Sequence, residues 1–211
     1  MTESASQKVD LKKTIAAYRA RRGEFAMVDV PELQYLMIDG QGDPNTSPAF
    51  SKAIESLYPV AYALKFASKR ELGRDYVVPP LEGLWWADDM SAFTTAPDRS
   101  QWRWTLMIMT PDWIDRDLFN VAVETVRAKT GAPRLDELRL ETLAEGLCVQ
   151  TLHVGPFADE ADVLARLHDE FIPQNGLSLA GTHHEIYFSD FRKVAPSRLR
   201  TILRQPVTRQ R

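Results

Sequence analysis

His183-His184-Glu185-Ile186-Tyr187-Phe188-Ser189-Asp190 is the stretch on which the reading of this chain turns. Its aromatic and β-branched residues argue for a strand, and the twofold alternation of a strand puts Glu185 and Tyr187 on one face, Ile186 and Phe188 on the other. A carboxylate among apolar neighbours is costly to bury as an anion, so it must be paired, protonated or turned toward a solvated cavity. The last four residues have a counterpart about a hundred positions earlier, where Trp85-Trp86-Ala87-Asp88 parallels Tyr187-Phe188-Ser189-Asp190. Tyr35-Leu36-Met37-Ile38-Asp39-Gly40 parallels Gln150-Thr151-Leu152-His153-Val154-Gly155 in the same way.

Between these landmarks the pattern repeats. Leu11 to Arg22 has helical composition with little apolar face and reads as a short peripheral helix or arm. Leu33 to Asp39 is a strand, closed by the Gly40-Gln41-Gly42-Asp43-Pro44 loop. Ser47-Pro48 then opens a helix to about Ser68, which Pro59 should kink or split. Strands over Leu81–Trp86 and Trp102–Ile108 are expected to pair across a loop containing Pro97, Asp98 and Ser100. A helix from about Asp115 to Lys129, capped by Gly131, leads to the second half. There a hairpin about Ala144-Glu145-Gly146, a helix over Asp159–Phe171, the Glu185 strand and a last strand over Thr201–Val207 follow, with Pro206 marking an edge or a strand end. The fold class is therefore α+β: duplicated β-α-β-β units in antiparallel sheets, helices on one side, and a ligand pocket between the halves. The division reads as an arm over 1–27 and one domain over 28–207, built from pseudo-repeats at about 28–112 and 135–207 joined by the helix at about 115–129.

Composition narrows the function. The 26 Lys and Arg nearly balance the 29 Asp and Glu, which excludes the basic surplus of a nucleic-acid binder. Basic residues gather near the end, Arg192, Lys193, Arg198, Arg200, Arg204, Arg209 and Arg211, but apolar residues interrupt them, as on a solvated face. The one cysteine, Cys148, lies in an apolar run with nothing basic beside it and reads as a buried structural thiol. Met1 to Lys13 is polar, unlike a signal peptide, and no stretch has transmembrane length, so a cytoplasmic protein is expected.

The candidate site residues are Glu185 and Tyr187, as catalytic and ligand-binding groups, with Trp85, Trp102 and Trp104 as ligand-binding aromatics. Tyr187 shares the face of Glu185 and offers a phenolic hydrogen bond. Adjacent Trp85 and Trp86 point oppositely, whereas Trp102 and Trp104 share a face; an aromatic wall opposite a carboxylate suits planar or cationic ligands. The competing reading makes Glu185 a structural partner of an arginine such as Arg103. His183 and His184 face opposite ways on a strand and no further ligands stand at metal spacing, so neither a metal nor a cofactor is expected. His153 reads as a hydrogen-bonded structural histidine.

The series Pro79-Pro80-Leu81-Glu82-Gly83-Leu84-Trp85-Trp86, Trp102-x-Trp104-x-Leu106-Met107-Ile108-x-x-Pro111, Glu145-Gly146-Leu147-Cys148-Val149-Gln150-x-Leu152-His153-Val154-Gly155-Pro156-Phe157-x-x-Glu160 and His183–Asp190 resembles the GyrI-like small-molecule-binding proteins, over about Val28 to Val207. The resemblance implies a pocket into which the glutamate of the Glu-x-Tyr strand, here Glu185, points. It implies a stand-alone protein that binds hydrophobic, aromatic or cationic drugs or toxins, with hydrolysis of cyclopropane-containing genotoxins as the activity of some members. A non-catalytic sequestering or sensing module and a DNA gyrase modulator are the alternatives, with gyrase or a regulator as a partner. The stretch before Val28 is too short for a helix-turn-helix domain, so direct contact with nucleic acid is not expected.

Overall fold

The computed structural model describes residues 8–93 and 98–210, so the first seven residues, Pro97 of the expected loop and Arg211 of the basic tail lie outside the description. In chain order the elements are α1 (Leu11–Thr14), β1 (Ala26–Val30), β2 (Leu33–Gln41), α2 (Pro48–Glu71), β3 (Leu81–Trp86), β4 (Arg103–Thr110), α3 (Arg116–Thr130), β5 (Arg139–Leu143) and β6 (Gly146–Val154). Helix α4 (Glu160–Ala165) then continues through a π-turn at Arg166–Phe171 into α5 (Ile172–Gln174), and β7 (Leu177–Leu179), β8 (His183–Tyr187) and β9 (Arg200–Arg209) complete the chain. The architecture is α+β with antiparallel strand pairing, as the sequence indicates.

The chain divides into two compact units that interleave in sequence. One comprises the described residues up to Thr14, with Leu33–Pro79 and Ala87–Thr142; the other comprises Ile15–Glu32, Pro80–Trp86 and Leu143 onward. In the first unit β2 lies between β4 and β5, and α2 and α3 pack together. Phe50, Ile54, Leu57, Ala61 and Leu64 recur at helical spacing along α2 and are all buried. Ser47 precedes the helix in extended conformation and Pro48 fills its first turn, where a missing N–H costs nothing. The helix runs unbroken through Pro59, so the expected split does not occur. Helix α3 is capped as its sequence predicts: the Asp115 carboxylate accepts from the Leu118 N–H, and Gly131 takes the left-handed conformation at its end.

In the second unit the strands run β1-β6-β9-β8-β3, with β7 also pairing with β9. The helical segment α4–α5 covers one face, where Val149, Leu167, Ile172, Leu177 and Val207 form a closed cluster with Phe25, Leu164 and Phe171 against it. Of the Leu11–Arg22 segment, read as a short peripheral helix or arm, only Leu11–Thr14 is a helix without buried residues; beyond it Ala17 and Tyr18 are buried and Arg22 bridges to Leu152. The hairpin about Ala144–Gly146 is absent, because β5 joins β2 while β6 lies between β1 and β9. Pro206 is interior to β9: it is the last residue paired with β6, over Arg200–Pro206, and falls where the other neighbour changes from β8 to β7, a gap in which no ladder donor is needed. Arg204, read as part of a solvated basic face, is fully buried. Cys148 is buried as expected, and burial pushes its thiol up to about 12.

Candidate functional site

Strand β8 is flanked by β3 and β9, and its register fixes which side chains meet. Gly83 of β3 lies opposite Glu185, Leu81 opposite Tyr187 and Trp85 opposite His183, while Thr201 and Leu203 of β9 lie opposite Tyr187 and Glu185. Paired residues share a face. One face therefore carries His183, Glu185, Tyr187, Trp85 and Thr201, and the other His184, Glu82, Arg204 and Gln150.

On the first face, the Trp85 indole N–H donates to the Tyr187 hydroxyl over 2.8 Å, and that hydroxyl donates to the Glu185 carboxylate. Gly83 makes the chain sterically feasible, since a Cβ there would stand 2.9 Å from Trp85 Nε1 and 3.1 Å from the Tyr187 oxygen. Burial first, and the Glu185 charge second, push the Tyr187 hydroxyl well above its ordinary range, so it stays a donor at any working pH. The Glu185 side chain keeps 14% of its surface open. Phe157 and Phe191, 39% and 37% exposed, extend this face from Tyr187: Phe157 lies edge-on to Tyr187 at 5.8 Å and to Phe191 at 6.2 Å.

Helix α4 brings a second carboxyl to this face. Glu160 is 5% exposed, Thr201 donates a hydrogen bond to it, and its Oε1 has no partner. Burial, and then the proximity of Glu185, push its carboxyl up to about 10, so it is a neutral acid at pH 7. The His183 ring lies edge-on to His168 at 6.1 Å, with its Nε2 3.5 Å from Glu185 Oε1; neither of its ring nitrogens makes a hydrogen bond, nor does His168 Nε2. Burial, and then the His183 charge, hold the His168 imidazole down at about 4. Among the described residues no three His, Cys, Asp or Glu side chains converge as a metal site requires.

The opposite face is saturated. His184 is completely buried between two carboxylates, its Nε2 2.9 Å from Glu82 Oε2 and its Nδ1 3.0 Å from Glu145 Oε1. Acceptors at both nitrogens require both to be N–H donors, hence an imidazolium. Burial pushes its pKa down, but the Glu145 charge and the hydrogen bonds outweigh it and the net shift is upward. Arg204 donates to Glu145 over 2.7 Å, to Gln150 over 3.1 Å and to the Ala17 carbonyl over 2.7 Å, and the Tyr18 hydroxyl donates to Glu82. Burial raises the Glu145 carboxyl, yet His184 and Arg204 together hold it at about 2. Two anions meet two cations, and the set is neutral.

The structure thus brings together three of the residues singled out from sequence, Glu185, Tyr187 and Trp85. Trp85 reaches Glu185 through the Tyr187 hydroxyl, with its ring 6% exposed. Trp104 and Trp102 belong to the first unit. Trp104 is fully enclosed, edge-on to Phe50, and fills the space over Gly40, where a Cβ would fall 2.0 Å from its ring. Trp102 stacks on Phe93 and donates to the Ala92 carbonyl. Arg103 pairs with Asp88, and His153 is bonded to the Pro156 carbonyl at 3.1 Å. Phe157, Phe191 and Glu160 were not singled out; Phe157 and Glu160 do stand in the Gly155-Pro156-Phe157-x-x-Glu160 motif, which is where a signal lay.

A two-sided antiparallel sheet with an acid, a phenol and exposed aromatics on one face is the layout of a small-molecule binding domain. The GyrI-like small molecule binding domain matches residues 23–208, and the chain belongs to that family. It is 37% identical to a hydrolase from Listeria innocua, with a TM-score of 0.83 over 95% of this chain and 100% of that one. It is 38% identical to an uncharacterized conserved protein of the same organism, with a TM-score of 0.86 and coverage of 95% and 100%. The EcmrR C-terminal domain, 13% identical with a TM-score of 0.54 over 88% of this chain and 98% of that one, shares the fold alone. A search of curated protein sequences finds no match. Among the described residues no helix is long and apolar enough to cross a membrane.

Proposed function

We propose that the Glu185 face binds flat aromatic molecules and adds water to a strained cyclopropane ring conjugated to a carbonyl. The observation that supports this reading is the Trp85–Tyr187–Glu185 chain, an oriented carboxylate whose tyrosine packs against exposed Phe157 and, through it, Phe191. Such an electrophile carries most of its activation in ring strain, so positioning and a base suffice. Glu185 takes a proton from water as the water oxygen bonds to the ring methylene. The ring carbon–carbon bond breaks, its electron pair passes into the conjugated carbonyl, the resulting phenolate takes a proton from solvent and Glu185 returns its own to solvent, so one water is added overall. Tyr187 holds the carboxylate in place through the hydroxyl that Trp85 anchors. The 37% identity to a protein described as a hydrolase agrees with a hydrolytic reading.

The test is incubation with a spirocyclopropane alkylator followed by mass spectrometry. A product heavier by one water, its rate falling about 10²–10⁴-fold in Glu185→Gln, is expected. Unchanged compound bound stoichiometrically across a panel of such alkylators would instead establish a sequestering protein.

A further inference from the structure

The water-addition reading uses one carboxyl of this face and leaves Glu160 without work. Glu160 is 5% exposed and has one buried oxygen with no partner, while its bond to Thr201 places it on the face where Glu185 keeps 14% of its surface open. A buried acid with an unused acceptor is an uncommon feature and calls for something to accept. Of the groups named around it, only the imidazoles can carry a positive charge, and the His183 ring stands 3.5 Å from Glu185. Thr201 of β9 donates a neutral hydrogen bond, Glu185 and Tyr187 of β8 are an anion and a neutral phenol, and Glu185 opposes its ionisation. His183 of β8 and His168 of its own helical segment flank each other, with ring nitrogens left unbonded, and His153 of β6 is engaged by the Pro156 carbonyl. Ionising Glu160 beside the Glu185 carboxylate is disfavoured unless a cation joins them.

We propose that Glu160 is a second acid of the ligand site, and that a monocation bound against Glu185 replaces the proton that Glu160 carries. Cationic ligands are then bound with release of a proton, and neutral ligands without it. The inference rests on the reading that the Glu185 face takes small molecules, and adds to it a residue and an exchange of proton for cation. Its chemistry balances as an exchange: the free site holds one negative charge and one proton on two carboxyls, and the occupied site holds two negative charges, one organic cation and no proton. The aromatic rim of Phe157 and Phe191 favours a flat, delocalised cation over a small hydrated one, because ring faces attract a cation whose own hydration is weak.

The experiment is isothermal titration of ethidium, a planar monocation, into the full chain in two buffers of different ionisation enthalpy at pH 7.5. Their difference gives the protons released per cation bound. About one proton is expected, with the affinity rising about tenfold per pH unit between about pH 6 and 9. Glu160→Gln, which keeps the shape of the protonated acid, is expected to release none and to bind with an affinity that is flat over that range. A spirocyclopropane alkylator, being neutral, is expected to release none from either protein. Ethidium binding to the wild-type protein without proton release overturns the inference and leaves the water-addition reading standing. Turnover of the alkylator with no binding of ethidium does the same. Failure of both ligands to bind removes the two together, and the wild-type measurement needs no variant to be decisive.

Discussion

Strand β8 presents a histidine on each of its faces, and the ionisable groups gathered around the two have opposite fates. On one side His184 is closed in by Glu82 and Glu145, with Arg204 and Tyr18 completing a set in which each charge has a partner. On the other, His183 and Glu185 sit with Glu160 and His168, and four buried nitrogen or oxygen atoms, on Glu160, His168 and His183, have no partner. Both faces remove ionisable groups from water, so burial alone does not separate structure from function. Satisfaction does. A saturated network specifies the packing of the Ile15–Arg22 segment against the sheet, whereas an unsatisfied one keeps hydrogen-bonding capacity for something that arrives later.

The comparison breaks most readily at Arg204. Removing it leaves Glu145 buried beside a lone imidazolium, so Arg204→Ala is expected to lose about 3–5 kcal/mol in urea unfolding. A loss below about 1 kcal/mol would show that the network holds little. The same network predicts stability falling at both ends of the pH scale. Glu145 is depressed to about 2, so it stabilises the fold above its unfolded value near 4.5, and on the order of 3 kcal/mol is lost as pH falls from about 5 to 2. His184 is raised, so its contribution is complete below 6.5 and disappears as pH rises through its folded value. Unfolding midpoints measured across pH check both limbs, and Arg204→Ala should flatten the acid one.

The unsatisfied face is sharpened by smaller changes. Gly83→Ala inserts a methyl group against Trp85 and Tyr187 and is expected to cost about 1–3 kcal/mol in stability while separating the indole from the phenol. The tryptophan emission spectrum and alkylator turnover would register that separation. Phe157→Ala is the mildest, expected to weaken binding of a planar ligand about two- to tenfold, with no change in the pH dependence of stability.

Much of this was legible in the sequence for one physical reason: alternation along a strand is strict. Placing Glu185 and Tyr187 together and Ile186 opposite required no tertiary information, and the caps of α3 follow from Asp115 and Gly131 acting locally. What sequence concealed was non-local. Arg204 reads as one arginine of a basic tail, and only the pairing of β9 with β6 and β8 carries it under Ala17 and beside Glu145. Glu160 reads as one acid on an amphipathic helix, and only the packing of α4 over the sheet sets it against Thr201 and Glu185. Strand β7 is three residues long, too short for its periodicity to declare it. Pro206 misled because a proline disfavours sheet interiors in general, while this one falls in a gap between two partners.

The most direct measurement of the distinction between the two faces is the affinity for ethidium of folded Glu185→Gln and folded Glu82→Gln, each read against the wild-type protein. Loss of a charge from the open face is predicted to weaken binding at least about tenfold, and loss of a charge from the closed face to leave the affinity of the folded protein unchanged. Equal losses in the two variants, or a loss confined to Glu82→Gln, would contradict the assignment of Glu185 to the ligand and His184 to the fold.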